Sequence, residues 1–438
     1  ARTDFRETGL MNQTDFSINS GDEKSAIYAA GQYFRQVSTV PWDKYKRYSI
    51  RVNLDREITE KVKLAVSTNY IYNNYDISSE VGTAYNDVLM SPAQVDITKY
   101  KDWQNDPFAN PNGYFNEYYD NPYFTLANNR RDTRNSYFQG ALDLRWNPVS
   151  PLTFIGRLGL TSRNVFSKTT MGKFTFSDYT KSISGSSKTD IPGSVTDGGN
   201  FENQLIGDFL VQYNSDFSET FTFDAVAGVQ GRENTSKGLF VSANGLVISD
   251  VYNVGNTLTN LGGGESNFRA TQFGVYADLR FGFRDFAFLH LTGRNDWRSV
   301  LSKENRSFFY PSADVSIIVS DAIPSLKSSG VIDEFKVRAS YAQVGQVNIG
   351  PYELAPVFTQ SYGYPYSSGG GFTLGNTLVS PDLKPERTIE REAGFDLYLN
   401  SYAASIGATV FKTNTVDQTI PVQLASSTGY NSLKTRPM

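Results

Sequence analysis

The sequence predicts an all-β fold, a transmembrane antiparallel β-barrel, and three observations predict it. Apolar and polar side chains alternate over runs of about ten residues or more, the span needed to cross a bilayer at a tilt. Short and long intervals take turns between those runs. The polar face of the runs carries more charge than lipid tolerates.

The run 272–284 shows the alternation best. Phe273, Val275, Ala277, Leu279, Phe281 and Phe283 share one face, and Gln272, Gly274, Tyr276, Asp278, Arg280, Gly282 and Arg284 the other. The pattern recurs over 48–55, 62–73, 138–147, 152–161, 201–214, 221–230, 313–320 and 392–400. Strands of soluble proteins usually stop at about 5–6 residues. Short turns fall near 21–24, 56–60, 147–151, 214–219, 284–285 and 400–401, and longer excursions near 77–133, 166–199, 235–267 and 347–384. Outer-membrane barrels have short periplasmic turns and long extracellular loops, whereas a sandwich has no reason to sort loops by length.

Charge decides which face meets lipid. Arg51, Asp55, Lys63, Asp143, Arg145, Arg157, Glu202, Asp208, Asp224, Asp278, Arg280, Arg284, Glu392 and Asp396 all lie on polar faces. A lipid-facing Arg or Lys at mid-bilayer costs roughly 2–4 kcal/mol, and a fold is stable by only about 5–15 kcal/mol. The polar face must therefore line a lumen. About 14 strands are expected, with a margin of two or so. The last of them run into 420–438 without a closing signal. Unpaired strand edges are costly in lipid, so further strands are expected on the C-terminal side.

Composition excludes other classes. At 438 residues the chain exceeds the ~250–300 that one soluble core organises. With 30 Phe, 27 Tyr and 36 Gly it suits strands and turns. A net charge of −4 without a basic block leaves no footprint for nucleic acid. The absence of Cys excludes disulfides and thiolate chemistry. No stretch approaches ~20 apolar residues, so no transmembrane helix is expected. A mean hydropathy of −0.40 is compatible with a barrel, in which only alternate residues face lipid.

Several segments carry a resemblance: Leu291-Thr-Gly-Arg-Asn-Asp-Trp297, then Asn305-Arg-Ser-Phe-Phe-Tyr-Pro-Ser312, Phe335-Lys-Val-Arg-Ala-Ser-Tyr-Ala-Gln-Val-Gly345, and Asp382-Leu-Lys-Pro-Glu-Arg-Thr388 with Glu392 and Gly394 behind it. The opening 16–30 and the Ser426-Ser-Thr-Gly-Tyr-Asn431 stretch fit the same order. Together they resemble the SusC/RagA group of TonB-dependent outer-membrane transporters. The resemblance implies a plugged barrel of about 22 strands. Residues 1–438 would form part of that one barrel domain. The N-terminal plug, the TonB-contacting box and the last strands would lie outside this chain. It also implies a place in the bacterial outer membrane among its lipids, energy through TonB, and a SusD-like surface lipoprotein as partner. The ligand would be a nutrient of the oligosaccharide or peptide class.

Candidate ligand contacts are loop aromatics. Trp103, Tyr114, Phe115, Tyr118, Tyr119, Tyr123 and Phe124 crowd one excursion, and Tyr362, Tyr364 and Tyr366 precede Ser367-Ser-Gly-Gly-Gly371. Aromatic faces suit sugar rings and apolar peptide side chains, and Tyr adds a polar tip. The plain alternative is that these rings pack the loop or sit at the membrane interface. His290, the one histidine, lies in an apolar strand and reads as structural, so no enzyme is expected. Asp102, Asp106 and Asp120 raise a weak possibility of loop calcium but fit no twelve-residue calcium loop. No cofactor is expected otherwise. The charges over 386–392 read as a pairing network, lumen-facing or periplasmic. The alternatives to paired import are a solitary TonB-dependent receptor and a passive porin or adhesin, and a plug would separate them.

Overall fold

The computed structural model describes residues 4–183, 185–355, 357–362 and 370–436. Twelve long strands follow one another, each hydrogen-bonded to the next: β1 (Leu10–Gly21), β2 (Ser25–Val37), β3 (Lys44–Thr59), β4 (Val62–Ser78), β5 (Asn129–Val149), β6 (Leu152–Met171), β7 (Ser194–Ser218), β8 (Phe221–Asn244), β9 (Gly262–Phe283), β10 (Ala287–Arg298), β11 (Ser307–Ile318) and β12 (Ile332–Gln346). Beyond them β13 (Phe358–Tyr362) pairs with β14 (Gly370–Leu374) as a separate hairpin, and β15 (Thr377–Val379) belongs to a small three-stranded sheet. The main sheet then resumes with β16 (Glu386–Leu399) on β12 and ends with β17 (Ala404–Val416). β18 (Ile420–Gln423) and β19 (Ser432–Thr435) complete the small sheet. The main sheet thus has 14 strands, as expected, and β1 and β17 are its two edges.

The connections sort by end. One end carries the turns 22–24, 60–61, 150–151, 219–220, 284–286 and 400–403. Its longest connection, 319–331, holds two short helical turns, α4 (Val319–Ala322) and a 3-10 turn (Lys327–Ser329). The other end carries 79–128, 172–193, 245–261 and 347–385, together with the shorter 38–43 and 299–306. Positive φ at Arg284 (47°) and Asp285 (57°), and at Asn400 (54°), Ser401 (59°) and Tyr402 (60°), lets the chain reverse within these short turns.

Register carries one face across the whole sheet, because directly opposed residues point the same way. Outward on β8 stand Phe221, Phe223, Ala225, Ala227 and Val229, opposite Phe283, Phe281, Leu279, Ala277 and Val275 of β9. From about Glu233 the outward face turns polar. Glu233 pairs with Arg269 at 2.8 Å and Lys237 with Glu265 at 3.3 Å. The apolar stretch, 221–231, matches the ~9–11 residues of a tilted membrane strand. The wall continues well above it: β7, with 25 residues at ~3.3 Å each, is roughly 80 Å long.

That extension corrects two expected loops. Residues 166–171 and 194–199, and likewise 235–244 and 262–267, belong to strands. Above the membrane lipid no longer holds one face apolar, so the alternation fades while the hydrogen-bonded ladder persists, and at its top Val195 and Ala243 are buried against Leu246.

Facing in are Arg145, Arg157, Asp143, Asp208, Gln230, Asp278 and Arg280, linked by pairs such as Arg157–Asp143 at 2.8 Å. The expected assignment of faces holds. Ala227→Arg, in the outward band, should therefore cost roughly 2–4 kcal/mol. Its lumen-facing neighbour Val226→Arg, which lies opposite Asp278, should cost far less. Urea titration of the full-length protein in lipid vesicles measures both.

Candidate functional site

At the long-loop end a folded cap rises from the sheet. Its frame is α1 (Val81–Met90), α2 (Pro122–Asn128) and, from the neighbouring loop, α3 (Asp178–Ser182). Phe5, Ala84, Val88, Ile97, Tyr114, Tyr123 and Leu126 form its core, with Val40, Trp42, Tyr100 and Trp103 packed against them. Asn121 is fully buried and caps α2. Its Nδ2 donates to the carbonyls of Tyr100 and Ala109, both at 2.7 Å, and its Oδ1 accepts from the Tyr123 N–H at 3.0 Å. A buried amide with its bonds made fixes a loop that lacks long regular structure.

Arg130 ties the cap to the wall. It pairs with Asp43 at 3.0 Å and Asp76 at 2.8 Å, and donates to the Trp42 carbonyl at 3.3 Å. Trp42 holds φ at 65°, a left-handed backbone that a bulky residue adopts only under constraint. The result is an open cavity of about 620 Å³ flanked by Trp42 and Trp103 and edged by Lys44, Asp76, Lys101, Asp102, Gln104 and Arg130. Two indoles surrounded by carboxylates, an amide and cations suit a small ligand with a flat apolar face and polar edges.

The expected contact residues separate. Trp103 lines this cavity, its ring edge-on to Phe124 at 5.1 Å. Tyr114 is buried in the cap core against Tyr100 (5.1 Å) and Phe115 (4.6 Å), so its ring packs the loop. Tyr123 and Phe124 are buried likewise. Tyr118 is 62% exposed and edge-on to the half-buried Tyr119 at 4.9 Å. Both of their N–H groups donate to Asn116 Oδ1, and neither ring lines the cavity. Tyr362 ends β13, but its side chain, like Tyr364 and Tyr366, lies outside the described residues. Sequence reading missed Trp42, from the connection between β2 and β3, and Asp76 and Arg130, from the tops of β4 and β5. The one signal was an isolated Pro41-Trp42 in a short connection.

A buried charge cluster lies beneath the cap. Asp87 of α1 is 4% exposed, and its Oδ2 has no hydrogen-bond partner among the described residues. Asp120 stands nearby and is paired with the buried Lys188, whose ammonium lies 5.9 Å from the Phe176 ring centre. Burial first, and Asp120 second, push the Asp87 carboxyl up to about 7 against the pull of Lys188. Burial likewise raises the Tyr114 phenol.

Other expected groups fall elsewhere. His290 faces the lumen, not an apolar surface, and bridges Asp278 (3.0 Å) and Asp314 (2.8 Å). Both ring nitrogens are thus engaged by carboxylates, and no serine hydroxyl is bonded to it among the described residues. Asp102 accepts from Asn105 Nδ2 and Asp106 from the Phe108 N–H, while Asp120 holds Lys188. Among the described residues no group of three or more acidic or histidine side chains converges for a metal. The 386–392 charges occupy the long-loop end of β16, not the short-turn end. Arg387 pairs with Asp417 at 3.0 Å, and the lumen-facing Glu392 lies 3.6 Å from Arg338.

A polar, charged lumen inside an apolar outward band, with short turns at one end and a folded cap at the other, defines an outer-membrane β-barrel. The family model described as TonB dependent receptor-like, beta-barrel matches residues 91–435, and the chain belongs to this family of the bacterial outer membrane. TonB-dependent receptor P3 of Formosa agariphila is 24% identical over 99% of this chain and 43% of its own length. P26 of the same organism is 24% identical over 95% of the chain and 41% of its length. The chain therefore spans less than half the length of these curated relatives. Among solved structures, the RagAB peptide importer in the closed-closed state matches with a TM-score of 0.79 at 18% identity, over 99% of this chain and 47% of that one. The ferric-catecholate import receptor Fiu of E. coli matches at 0.54 and 12% identity, over 95% and 58%. These likenesses bear out the family and fold that the sequence motifs implied.

Asp87 makes cap stability depend on pH. Its proton affinity is higher in the folded cap than in the unfolded chain, so folding takes up a proton between pH 3.8 and about 7. The cap should be most stable below that window and loosen as pH rises through it. The span is at most a few kcal/mol, at about 1.4 kcal/mol per tenfold change in affinity. Asp87→Asn should flatten the dependence and protect residues 79–128 at pH 8. Hydrogen exchange across that segment measures this.

Proposed function

We propose that this chain is the barrel portion of a TonB-dependent importer that takes a nutrient of the glycan or peptide class across the outer membrane, together with a SusD-like surface lipoprotein. The carrying observation is the lumen face, which is polar and charged across the strands while the opposite face is an apolar band of bilayer height. Such a lumen offers a hydrated route to polar ligands. The capped end supplies a cavity of ligand size on that route's outer side. Family membership supports energy input through TonB. The fold likeness to the RagAB peptide importer supports the paired arrangement over a solitary receptor or a passive porin or adhesin.

In this reading the cap cavity makes the first contact and the barrel supplies the passage. The chain's own chemistry consists of binding and exclusion, with no catalytic step and no resident cofactor. Mild-detergent purification of the full-length protein from outer membranes tests the pairing. Stoichiometric recovery of one surface lipoprotein supports it, and recovery of the barrel alone reduces the reading to a solitary receptor.

The cavity reading has its own optical readout, since Trp42 and Trp103 are two of the chain's four Trp. Titrating the full-length protein with short oligosaccharides or peptides should quench tryptophan emission. Trp103→Ala should weaken that binding by roughly ten- to a hundredfold, the range expected when an aromatic platform is removed. Quenching that survives intact in both Trp42→Ala and Trp103→Ala would place the ligand elsewhere.

A further inference from the structure

The register of β8, β9 and β10 builds a row of cations on the lumen face. Arg232 lies opposite Gln272, and Gln272 lies opposite Arg298. Arg298 N–H in turn donates to the Arg306 carbonyl at 3.0 Å, which brings a further arginine alongside. Adjacent strands stand about 4.8 Å apart, so the backbones of Arg232 and Arg298 are about 10 Å apart. Two guanidinium side chains can close on one small group across that gap.

Among the described residues the carboxylate that acts on Arg298, Asp296, bonds to other groups. The carboxylate beside them, Asp296, is 2% exposed and already committed. Its Oδ1 accepts from Arg294 at 2.9 Å, and its Oδ2 accepts from the Tyr310 hydroxyl. Arg294 also donates to Gln230 and lies 5.4 Å from the Tyr276 ring centre, so that guanidinium is satisfied. By contrast, the Nε atoms of Arg232 and Arg298 are both buried without a hydrogen-bond partner among the described residues. Glu202, on the same inward face of β7, is engaged by Asn200 at 2.7 Å and faces Arg163 at 3.8 Å. Both residues are half-buried, and a polar atom held away from water is normally hydrogen-bonded.

Height completes the placement. On β8 the outward face changes from apolar Val229 to charged Glu233 around this level. The row therefore sits at the outer boundary of the membrane, in the throat between cap and lumen.

We propose that Arg232 and Arg298 form an oxyanion site in this throat, which selects ligands bearing a carboxylate or sulfate group. Planar guanidinium forks match both groups with paired, charge-assisted hydrogen bonds. Gln272 between them adds an amide donor. The proposal rests on the import reading for its biological use, but the site itself can be tested without transport.

The first probe is sodium sulfate or sodium acetate, against sodium chloride at equal ionic strength, on the full-length protein in detergent. Saturable protection from hydrogen exchange around 230–234 and 296–300 is expected with the oxyanions and not with chloride. Arg232→Gln/Arg298→Gln should abolish it while the fold and cap protection persist. Equal protection by chloride, or protection that survives in the double variant, overturns the proposal. The second arm compares a trigalacturonate, a sulfated disaccharide and neutral maltotriose for binding. The double variant should lose roughly tenfold or more for whichever charged ligand the wild type binds, and less than about twofold for the neutral one. Cross-linking that finds an acidic side chain of the same protein seated between the two arginines also overturns it. Loss of uptake in cells with oxyanion protection intact would instead count against the import reading.

Discussion

Every backbone amide that crosses a bilayer must find its partner within the protein, since lipid offers none. The rest of this molecule depends on that constraint. It is met by an antiparallel ladder in which each strand is hydrogen-bonded to its neighbours in sequence, from β1 to β12 and on through β16 to β17. A slip of one residue anywhere would reverse every following side chain, so the hydrophobic band and the register enforce each other. Asp143, Arg157, Asp208 and Asp278 can be charged because the ladder directs all of them to the lumen.

The same ladder makes contacts between residues far apart in the chain. His290 meets Asp278 and Asp314 because three strands align them. Gly274 leaves room where a Cβ would fall 2.2 Å from Asp296 Oδ1 and 2.5 Å from Arg294 Nη2, so a missing side chain on β9 admits a charge cluster from β10. Such lumen chemistry costs the fold little where, as here, the groups are paired away from lipid.

Period-two alternation made the fold class, the strand number and the lumen face legible, and 272–284 alone carried most of that information. The sorted loop lengths located the outer end. Where the apolar signal faded, legibility faded with it. The upper parts of β6 to β9 read as loops because no lipid holds one of their faces apolar, and no composition rule marks a ladder there. At the candidate site, Trp103 was legible as an aromatic in an excursion. Its partners Trp42, Asp76 and Arg130 were not, since strand tops and a short connection bring them together only in three dimensions. Tyr114 shows the converse difficulty: a loop tyrosine looks like a ligand contact until burial assigns it to the loop's own core.

The cap explains how a long insertion can hold binding geometry at all. Loops far from regular structure usually lose definition, and ordering them costs entropy. Here the cap has a core of its own around Val88, Tyr123 and Leu126, a buried Asn121 that closes its main-chain bonds, and one arginine, Arg130, that fastens it to two strands. The barrel supplies rigidity and the cap supplies shape. Asp87, with one carboxylate oxygen unpartnered among the described residues, departs from that satisfaction. A group left costly in the closed cap lowers the energy needed to open it. On the import reading proposed above, that weakness would ease the release of a held ligand into the lumen.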